Sequence, residues 1–266
     1  MSAPLLSANG ISKSFGGVQA LREVSISILP EEIYGLIGPN GAGKTTFFNV
    51  LTGLYRADAG GFEFESAALD ARAPHEAARR GIARTFQNIR LFANMSVLEN
   101  VMVGRHVRTR AGVLGAVLRD SGTLAEERAI HERSLALLEF VGLSARRDEP
   151  ARSLAYGDQR RLEIARALAT EPRLLALDEP AAGMNATETA GLRKLLEAIR
   201  AQGITLLLIE HDVKLVMGLC DRVAVLDYGR RIAEGRPAEV QRDALVIEAY
   251  LGGVTLGDGS AGAAFA

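Results

Sequence analysis

Hydrophobic residues recur along this chain with two different spacings. In residues 5–14 and 24–28, apolar and polar positions alternate, a pattern that predicts half-buried antiparallel strands. Farther along, residues 33–37, 173–177 and 205–209 are apolar almost throughout, as in strands that are covered on both faces. These two kinds of strand predict a small β-layer that precedes a mainly parallel sheet.

Helical spacing connects the buried strands. It is clearest in residues 126–141, an amphipathic segment that Gly142 ends, and it dominates residues 88–153. That span predicts a helical subdomain inserted into an α/β core. The pattern also predicts helices at 45–51, 74–80, 160–169, 187–200, 213–219 and 237–250, strands at 62–64, 82–86, 223–226 and 231–234, and turns at 60–61 and 228–229.

Residues 38–46, with the sequence GPNGAGKTT, carry the strongest chemical signal. They match the phosphate-binding pattern G-x-x-x-x-G-K-[S/T] and lie between a predicted strand and a predicted helix. The glycines let backbone N–H groups close around phosphate oxygens at the N-terminus of the helix. Lys44 would direct a charge at the β- and γ-phosphates, and the Thr45 hydroxyl would ligate Mg²⁺. The alternative is a glycine-rich turn that ends in Lys-Thr by chance, and the strand–loop–helix context disfavours it.

Composition narrows the possible partners and the compartment. The 266 residues are 48% hydrophobic and 24% charged, enough for one large domain with a subdomain. Lys and Arg number 31 against 32 Asp and Glu, so no overall basic field predicts binding to nucleic acid. The single cysteine, Cys220, excludes an internal disulfide, and residues 1–15 lack a signal-peptide core, so we expect a cytoplasmic protein. No apolar run approaches the roughly 18–20 residues that span a bilayer, so any membrane role is expected to be peripheral, through a partner.

Polar side chains at strand ends supply further candidates. Asp178 and Glu179 end an apolar strand, where the first can hold Mg²⁺ and the second can orient or deprotonate a water. His211 follows the neighbouring buried strand; a lone histidine is usually structural, but this position directs it toward the phosphates. Gln87, after the strand at 82–86, is either a polar terminus or a ligand for Mg²⁺ or the attacking water.

Three other segments have two interpretations each. Phe15, in a glycine-flanked loop, is either a platform on which a base stacks or a cap on the small sheet. The apolar residues between 89 and 98 are either ordinary packing or a patch for a partner helix. The basic residues 105–110 beside the apolar residues 113–118 form either an amphipathic hairpin or a solvated face. The Gly- and Ala-rich tail, residues 252–266, is predicted to be disordered.

The order of these features resembles that of the ATP-binding subunits of ABC transporters. The phosphate loop, Gln87, residues 154–159, Asp178 with Glu179, and His211 follow one another as in that family. The resemblance covers residues 5–251 and implies one ABC ATPase domain over 1–251, followed by the tail. The implied α/β fold is a P-loop NTPase core with a mainly parallel sheet, an N-terminal antiparallel β-subdomain and a helical subdomain at about 88–155.

The resemblance also implies the roles of individual residues, with ATP and Mg²⁺ as cofactors. Glu179 would be the catalytic base, while His211 and Lys44 would stabilise charge on the phosphoryl group. Mg²⁺ would be held by Thr45, Gln87 and Asp178. The nucleotide would contact Phe15, Val18, Asn40, Gly41, Ala42, Gly43, Lys44, Thr45 and Thr46.

In that family two ATPase domains sandwich two ATP molecules, and the signature loop of each closes the site of the other. Here that loop comprises Ala155, Tyr156, Gly157 and Asp158, which would act in trans. The usual signature L-S-G-G-Q reads L-A-Y-G-D, so Ala155 lacks the serine hydroxyl. Loss of one charge-assisted hydrogen bond is worth roughly 1.5–3 kcal/mol if nothing replaces it. Asn185 stands where an aspartate is usual.

Within the family, residues 84–92, 154–157, 180–185 and 210–217 look like those of ATPase subunits of branched-chain amino acid importers. This resemblance implies a second ATPase subunit, either a non-identical paralogue or a second copy of this chain. It further implies two integral membrane permease subunits and, indirectly, a solute-binding protein. The chain would lie peripherally on the cytoplasmic face of the inner membrane. Related systems for urea or short amides resemble it closely.

Three rival interpretations are a different transporter ATPase, a soluble ABC protein and another kind of P-loop enzyme. A lipopolysaccharide exporter ATPase is disfavoured by residues 84–92 and by Ala155 with Tyr156. A soluble ABC protein acting on ribosomes or DNA usually has two fused ATPase domains or an inserted coiled coil, and the sequence contains neither. A P-loop kinase or GTPase would lack the signature loop before Asp178.

Overall fold

The structure, a computed structural model, describes residues 3–70, 73–108 and 121–251. The tail and most of the basic and apolar stretch at 105–118 lie outside the described residues. In the described part, the strands are β1 (Leu6–Phe15), β2 (Val18–Ile28), β3 (Ile33–Ile37), β4 (Ala59–Phe64), β5 (Ala67–Leu69), β6 (Ile82–Arg84), β7 (Leu174–Asp178), β8 (Thr205–Ile209), β9 (Arg222–Asp227) and β10 (Arg230–Gly235). The α-helices are α1 (Lys44–Leu51), α2 (Pro74–Arg79), α3 (Val97–Arg105), α4 (Ser121–Phe140), α5 (Tyr156–Leu168), α6 (Ala186–Ala201), α7 (Val213–Leu219), α8 (Pro237–Val240) and α9 (Ala244–Leu251).

The predicted small β-layer is a four-stranded antiparallel sheet in the order β2-β1-β4-β5. Gly60 and Gly61, predicted as a turn, lie within β4, and that prediction was wrong. A Cβ at Gly60 would lie 2.4 Å from the Gly10 carbonyl oxygen, so the glycine permits a close crossing of β4 and β1. Alternation at the start of β1 places Leu6 and Ala8 in the core, and a register shift after Ala8 places Ile11 there as well.

The main sheet has six strands in the order β10-β9-β3-β8-β7-β6, and only the β10–β9 pair is antiparallel. Every residue of β3, β7 and β8 is buried, as their continuous apolar sequences predict. Consecutive residues point to opposite faces: Leu207 and Ile209 join the core beneath the small sheet, whereas Leu206 and Leu208 join the core beneath the helices.

The order of the strands gathers the predicted site. Strand β3 lies between β9 and β8, and β7 is the next neighbour of β8. The segments that follow β3, β7 and β8 therefore leave the same edge of the sheet, because parallel strands share their carboxyl ends. These segments contain the phosphate loop, Glu179 and His211.

Two boundaries differ from the sequence-based expectation in ways that matter for the site. Strand β6 ends at Arg84 rather than at residue 86. Just after it, the Thr85 N–H donates to the carbonyl of Ala176 in β7 at 2.9 Å, the last backbone hydrogen bond between this segment and β7. Helix α5 begins at Tyr156 rather than residue 160, with extended Ala155 as its N-cap. Gln87 therefore lies in a loop, and the signature residues after Ala155 form the first turn of a helix.

The helical part is built around a close contact between α3 and α5. The capping box of Ser96 and Glu99 begins α3, with bonds of 3.1 Å and 2.7 Å. A Cβ at Gly104 would lie 2.2 Å from the Arg166 carbonyl oxygen of α5. The two helices can approach this closely only because Gly104 has no side chain.

Gly104→Ala is therefore expected to destabilise the protein by about 1–3 kcal/mol, the usual penalty for overpacking a dense core. The reason is that α3 must move away from backbone atoms of α5, which cannot rotate aside as a side chain could. Urea unfolding of the full chain measures the change. Gly61→Ala is the matched control, since a Cβ there would meet nothing within 4 Å; equal stability of the two variants would contradict the close-contact argument.

Cys220 is buried between β3 and α7, and burial raises the pKa of its thiol. A buried thiol of this kind packs as a small apolar group. Among the described helices, none has the length and apolar character that crossing a membrane requires.

Candidate functional site: a phosphate loop and its polar rim

The phosphate loop joins β3 to α1 through backbone conformations that favour glycine. Gly38, Gly41 and Gly43 have φ values of +148°, +81° and +102°. A Cβ at Gly38 would lie 2.0 Å from the Leu226 carbonyl oxygen, and one at Gly43 would lie 2.6 Å from the Ala20 carbonyl oxygen. Side chains are thus excluded at both ends of the loop, while a Cβ at Gly41 would meet nothing within 4 Å. The loop is a backbone cradle that leads into the N-terminus of α1.

Lys44, the first residue of α1, folds back over this cradle. Its Nζ donates to the carbonyl oxygens of Gly38 at 2.6 Å and Pro39 at 3.0 Å. Burial lowers the pKa of Lys44, while the carboxylates of Glu179 and Asp178 act in the opposite direction. The ammonium is thus held at the mouth of the cradle and faces the acidic side of the site.

A cleft of about 430 Å³ opens over the phosphate loop. It brings together residues that are distant in sequence, because β2, the phosphate loop and the ends of β7 and β9 meet there. The lining residues are Val18, Gln19, Ala20, Arg22, Asn40, Gly41, Ala42, Gly43, Lys44, Thr45, Thr46, Gln87, Glu179, Tyr228 and Gly229. The predicted phosphate-loop contacts at 40–46, together with Val18, Gln87 and Glu179, therefore share one cavity, whereas Asp178 and His211 are not among its lining residues.

Glu179 lies at the centre of a small polar cluster. Its Oε2 accepts a hydrogen bond of 2.8 Å from Gln87 Nε2 and lies 3.6 Å from His211 Nδ1. The backbone of Glu179 has φ +46°, an unfavourable region for a residue with a side chain, and its N–H donates to the Ile209 carbonyl at 2.8 Å. The fold thus holds the carboxylate beside the two other predicted side chains at a local conformational cost.

Asp178 is buried directly before Glu179. Burial, opposed by the guanidinium of Arg84 and assisted by the charge of Glu179, raises the pKa of Asp178 to about 6. Arg84, which sequence reasoning did not select, donates to Thr52 Oγ1 at 2.7 Å and Asn49 Oδ1 at 3.1 Å. It provides positive charge behind the acidic pair.

Glu210 is a second residue that sequence reasoning missed. Glu210 is fully buried, and its carboxylate accepts hydrogen bonds from the backbone N–H groups of Ala181 at 2.8 Å and His211 at 3.2 Å. Burial raises the pKa of Glu210. Its carboxyl joins the turn after Glu179 to the loop that carries His211, and a glutamate directly after an apolar strand was the available sequence signal.

The donor set around the cradle fits a nucleotide with Mg²⁺. The Thr45 hydroxyl, the Gln87 amide and the Asp178 carboxylate are oxygen ligands of the kind that Mg²⁺ prefers. Within the described residues, no group of three or more His, Cys, Asp and Glu forms a metal site by itself. That arrangement suits a metal that takes the rest of its ligands from phosphates and water.

Phe15 lies beside the cleft rather than in its lining. It pairs with Val18 across the β1–β2 hairpin, and its ring packs edge-on against Tyr55 with centroids 5.1 Å apart. The ring remains 42% exposed. Both interpretations of Phe15, as a base platform or as a cap of the small sheet, are compatible with this position.

The signature residues lie outside this cleft. Tyr156 is 44% exposed, Gly157 is buried against Glu188, and Asp158 lies 3.5 Å from Arg146. None of the four predicted trans residues, including Ala155, lines the cleft over the phosphate loop of the same chain. The structure thus separates the signature from the chain's own phosphate site.

Asn185, the other departure, has a structural role. Its side chain accepts from the Glu188 N–H at 3.0 Å, and the Glu188 carboxylate accepts from the Asn185 N–H at 2.9 Å. This capping box begins α6. Because asparagine and aspartate cap helices about equally well, the substitution preserves the local fold.

A phosphate loop at the carboxyl end of a central parallel strand defines the P-loop nucleotide-hydrolysing proteins. The ABC transporter family profile matches residues 21–182, more than half of the chain, so this chain belongs to the ABC transporter ATP-binding family. Its predicted ATPase class and α/β fold are thereby confirmed. A second profile, described as branched-chain amino acid ATP-binding cassette transporter, matches residues 230–254.

Individual relatives agree with the family assignment. The chain is 45% identical over 253 residues to the high-affinity branched-chain amino acid transport ATP-binding protein LivG of Escherichia coli (strain K12), covering 95% of this chain and 99% of LivG. It is 42% identical to the corresponding protein BraF of Pseudomonas aeruginosa, with the same coverage. A crystal structure of the ADP conformation of MJ1267, an ATP-binding cassette of an ABC transporter, superposes with a TM-score of 0.82 at 35% identity, covering 94% of this chain and all of that one.

Proposed function

We propose that this chain is the ATP-hydrolysing subunit of an importer for branched-chain or similar amino acids. The observation that carries the catalytic part is the convergence of Gln87, Glu179 and His211 beside the phosphate loop. The solute class rests on the similarity to LivG and BraF and on the family profile at residues 230–254.

The proposed reaction is in-line attack of water on the γ-phosphate. Glu179 would accept a proton from that water, which Gln87 helps to orient through its 2.8 Å bond to the same carboxylate. Lys44 and His211 would stabilise charge that develops on the phosphoryl oxygens. Mg²⁺, when bound, would neutralise charge on the β- and γ-phosphates, with Thr45 and Gln87 as ligands and Asp178 mostly in the outer shell.

The proposed assembly contains a second ATPase subunit, either a paralogue or another copy of this chain. Its signature would close the cleft over this phosphate loop, while residues 155–158 would close the cleft of the partner. This proposal accounts for the position of the signature outside the chain's own cleft. The missing hydroxyl at Ala155 would then weaken the partner's site rather than this one.

We propose that a permease subunit docks in a groove of about 380 Å³ between the main sheet and the helical part. Phe86 and Phe92 line it with three arginines stacked on them: the guanidiniums of Arg84 and Arg90 lie 4.4 Å and 4.5 Å from the Phe86 ring centroid, and that of Arg166 lies 5.7 Å from Phe92. The groove begins where the Gln87 loop begins, so a helix bound there would contact the catalytic cleft through that loop. Such docking would hold the chain peripherally at the cytoplasmic face of the membrane.

The test is transport by the assembled complex. Vesicles containing this chain, its partner ATPase and its permease subunits should accumulate labelled leucine with ATP and the solute-binding protein, but not with ADP. Labelled urea serves as the competing substrate. Uptake of urea without leucine would overturn the amino-acid assignment, and recovery of the chain with ribosomes rather than permeases would overturn the transporter assignment.

A further inference from the structure

Helix α5 contains a buried ion pair one turn after the signature. Arg160 and Glu163 are 0% and 1% exposed, and Arg160 Nη1 lies 2.7 Å from Glu163 Oε2. Charged side chains are rarely buried this completely, because removing them from water costs several kcal/mol per ion unless other groups bond to them. The further partners of the pair are therefore informative.

Those partners are backbone groups of the Gln87 loop. Arg160 donates to the carbonyl oxygens of Phe86 at 2.6 Å and Gln87 at 2.8 Å. Glu163 accepts from the N–H groups of Phe86 at 3.3 Å and Arg90 at 3.5 Å, the second being at the limit of a hydrogen bond. Since β6 ends at Arg84, these side chains replace the sheet ladder as the support of the loop.

The pair also lies between three functional regions. Arg160 Nη2 lies 3.2 Å from the Tyr156 hydroxyl, in the signature turn of the same helix. Gln87 is bonded to Glu179, and Phe86, Arg90 and Glu163 line the groove proposed for a permease subunit. A displacement of α5 therefore reaches Gln87 through rigid, charge-assisted bonds rather than through a flexible loop.

We infer that Arg160 and Glu163 are positioning residues that couple the groove and the signature helix to Gln87. This inference rests on the proposed function, because it assumes that Gln87 acts in catalysis and that a subunit occupies the groove. A purely structural pair would instead stabilise the fold without affecting the response of the nucleotide site to the groove.

The test uses the double variant Arg160→Met with Glu163→Leu, which removes the pair without leaving one buried charge unpaired. Arg193→Met with Glu197→Leu is the matched control, since this exposed pair on α6 has a similar separation of 3.0 Å. Hydrogen exchange of the full chain should become about tenfold faster at residues 86–90 in the double variant. Exchange in α1 and in the control should not change.

Functionally, the assembled transporter should lose its stimulation by leucine-loaded binding protein, with ATPase activity of the double variant falling to about its unstimulated level. The KM for ATP should stay within about twofold of the original value, since the phosphate loop is untouched. Arg160→Lys, which retains the charge but not the planar fork, should recover part of the stimulation. Normal stimulation in the double variant would overturn the inference.

The outcomes separate this inference from the proposed function. If the unmodified complex hydrolyses ATP and responds to leucine while the double variant does likewise, only the coupling role is wrong. If the unmodified complex has no leucine-stimulated ATPase activity, the proposed function itself fails. If the double variant binds ATP more weakly, melts at a lower temperature and turns over more slowly, all together, the pair has a structural role. That result would also overturn the inference.

Discussion

Glu179→Gln is expected to bind ATP with normal affinity while its turnover falls by about 10²–10⁴-fold, the usual contribution of a general base. The amide has nearly the same shape and can still interact with Gln87, so the cleft should keep its geometry. It cannot accept a proton from water, however, and that is the step assigned to Glu179. The measurements are kcat in the assembled transporter and the dissociation constant for ATP under non-hydrolysing conditions.

Glu197→Gln is the control for this experiment. Glu197 is an exposed carboxylate on α6 that pairs with Arg193 at 3.0 Å and lies outside the residues assigned to the cleft. It should leave kcat and ATP affinity unchanged. Retention of more than about a tenth of the original kcat by Glu179→Gln would show that another group or the substrate itself accepts the proton.

Strands β3, β7 and β8 of the main sheet could be predicted because burial on both faces makes their sequences almost entirely apolar. The segments at 33–37 and 205–209 coincide with β3 and β8. The turn at Gly60 and Gly61 was wrong because glycine serves close backbone contact as well as turns, and only the fold reveals the neighbouring strand. The local sequence does not specify which other strand will pass close to a glycine.

The start of α5 was missed for a related reason. Tyr156 and Gly157 are poor helix formers, and Ala155 provides no side-chain cap. The helix nevertheless begins there, because Gly157 lies close to Glu188 and Arg160 is anchored in the Gln87 loop. Tertiary contacts outweigh weak local preference, and this places the signature on the first turn of a helix rather than in a loop.

The residues of the candidate site also fall into two groups, those that the sequence predicts and those that only the structure reveals. Residues of the phosphate loop could be predicted because their chemistry requires a fixed local order. Arg160 and Glu163 could not, because an oppositely charged pair at i and i+3 on a helix usually lies on a solvated face. Their burial depends on a loop more than seventy positions away in sequence, as the Arg160 to Phe86 separation records. Motifs identify groups that touch substrate, whereas the groups that hold them in place are found only in three dimensions.

Lys44→Ala is expected to raise the dissociation constant for ATP by about 10–100-fold, because charge-assisted hydrogen bonds contribute roughly 1.5–3 kcal/mol. The Nζ of Lys44 lies over the cradle, bonded to the Gly38 and Pro39 carbonyl oxygens, so phosphates that enter the cradle would lie beside its charge. The loss should depend on the phosphates: ATP and ADP should bind more weakly, while AMP should be little affected.

The dependence on phosphate number distinguishes a lost contact from a damaged site. Lys194→Ala, an exposed lysine on α6, controls for the change in net charge and should leave all three affinities unaltered. Titration calorimetry with ATP, ADP and AMP measures the series. An equal loss for the three nucleotides would mean that the cradle had collapsed rather than that Lys44 binds phosphate, and unchanged ATP affinity would show that phosphate binding does not depend on Lys44.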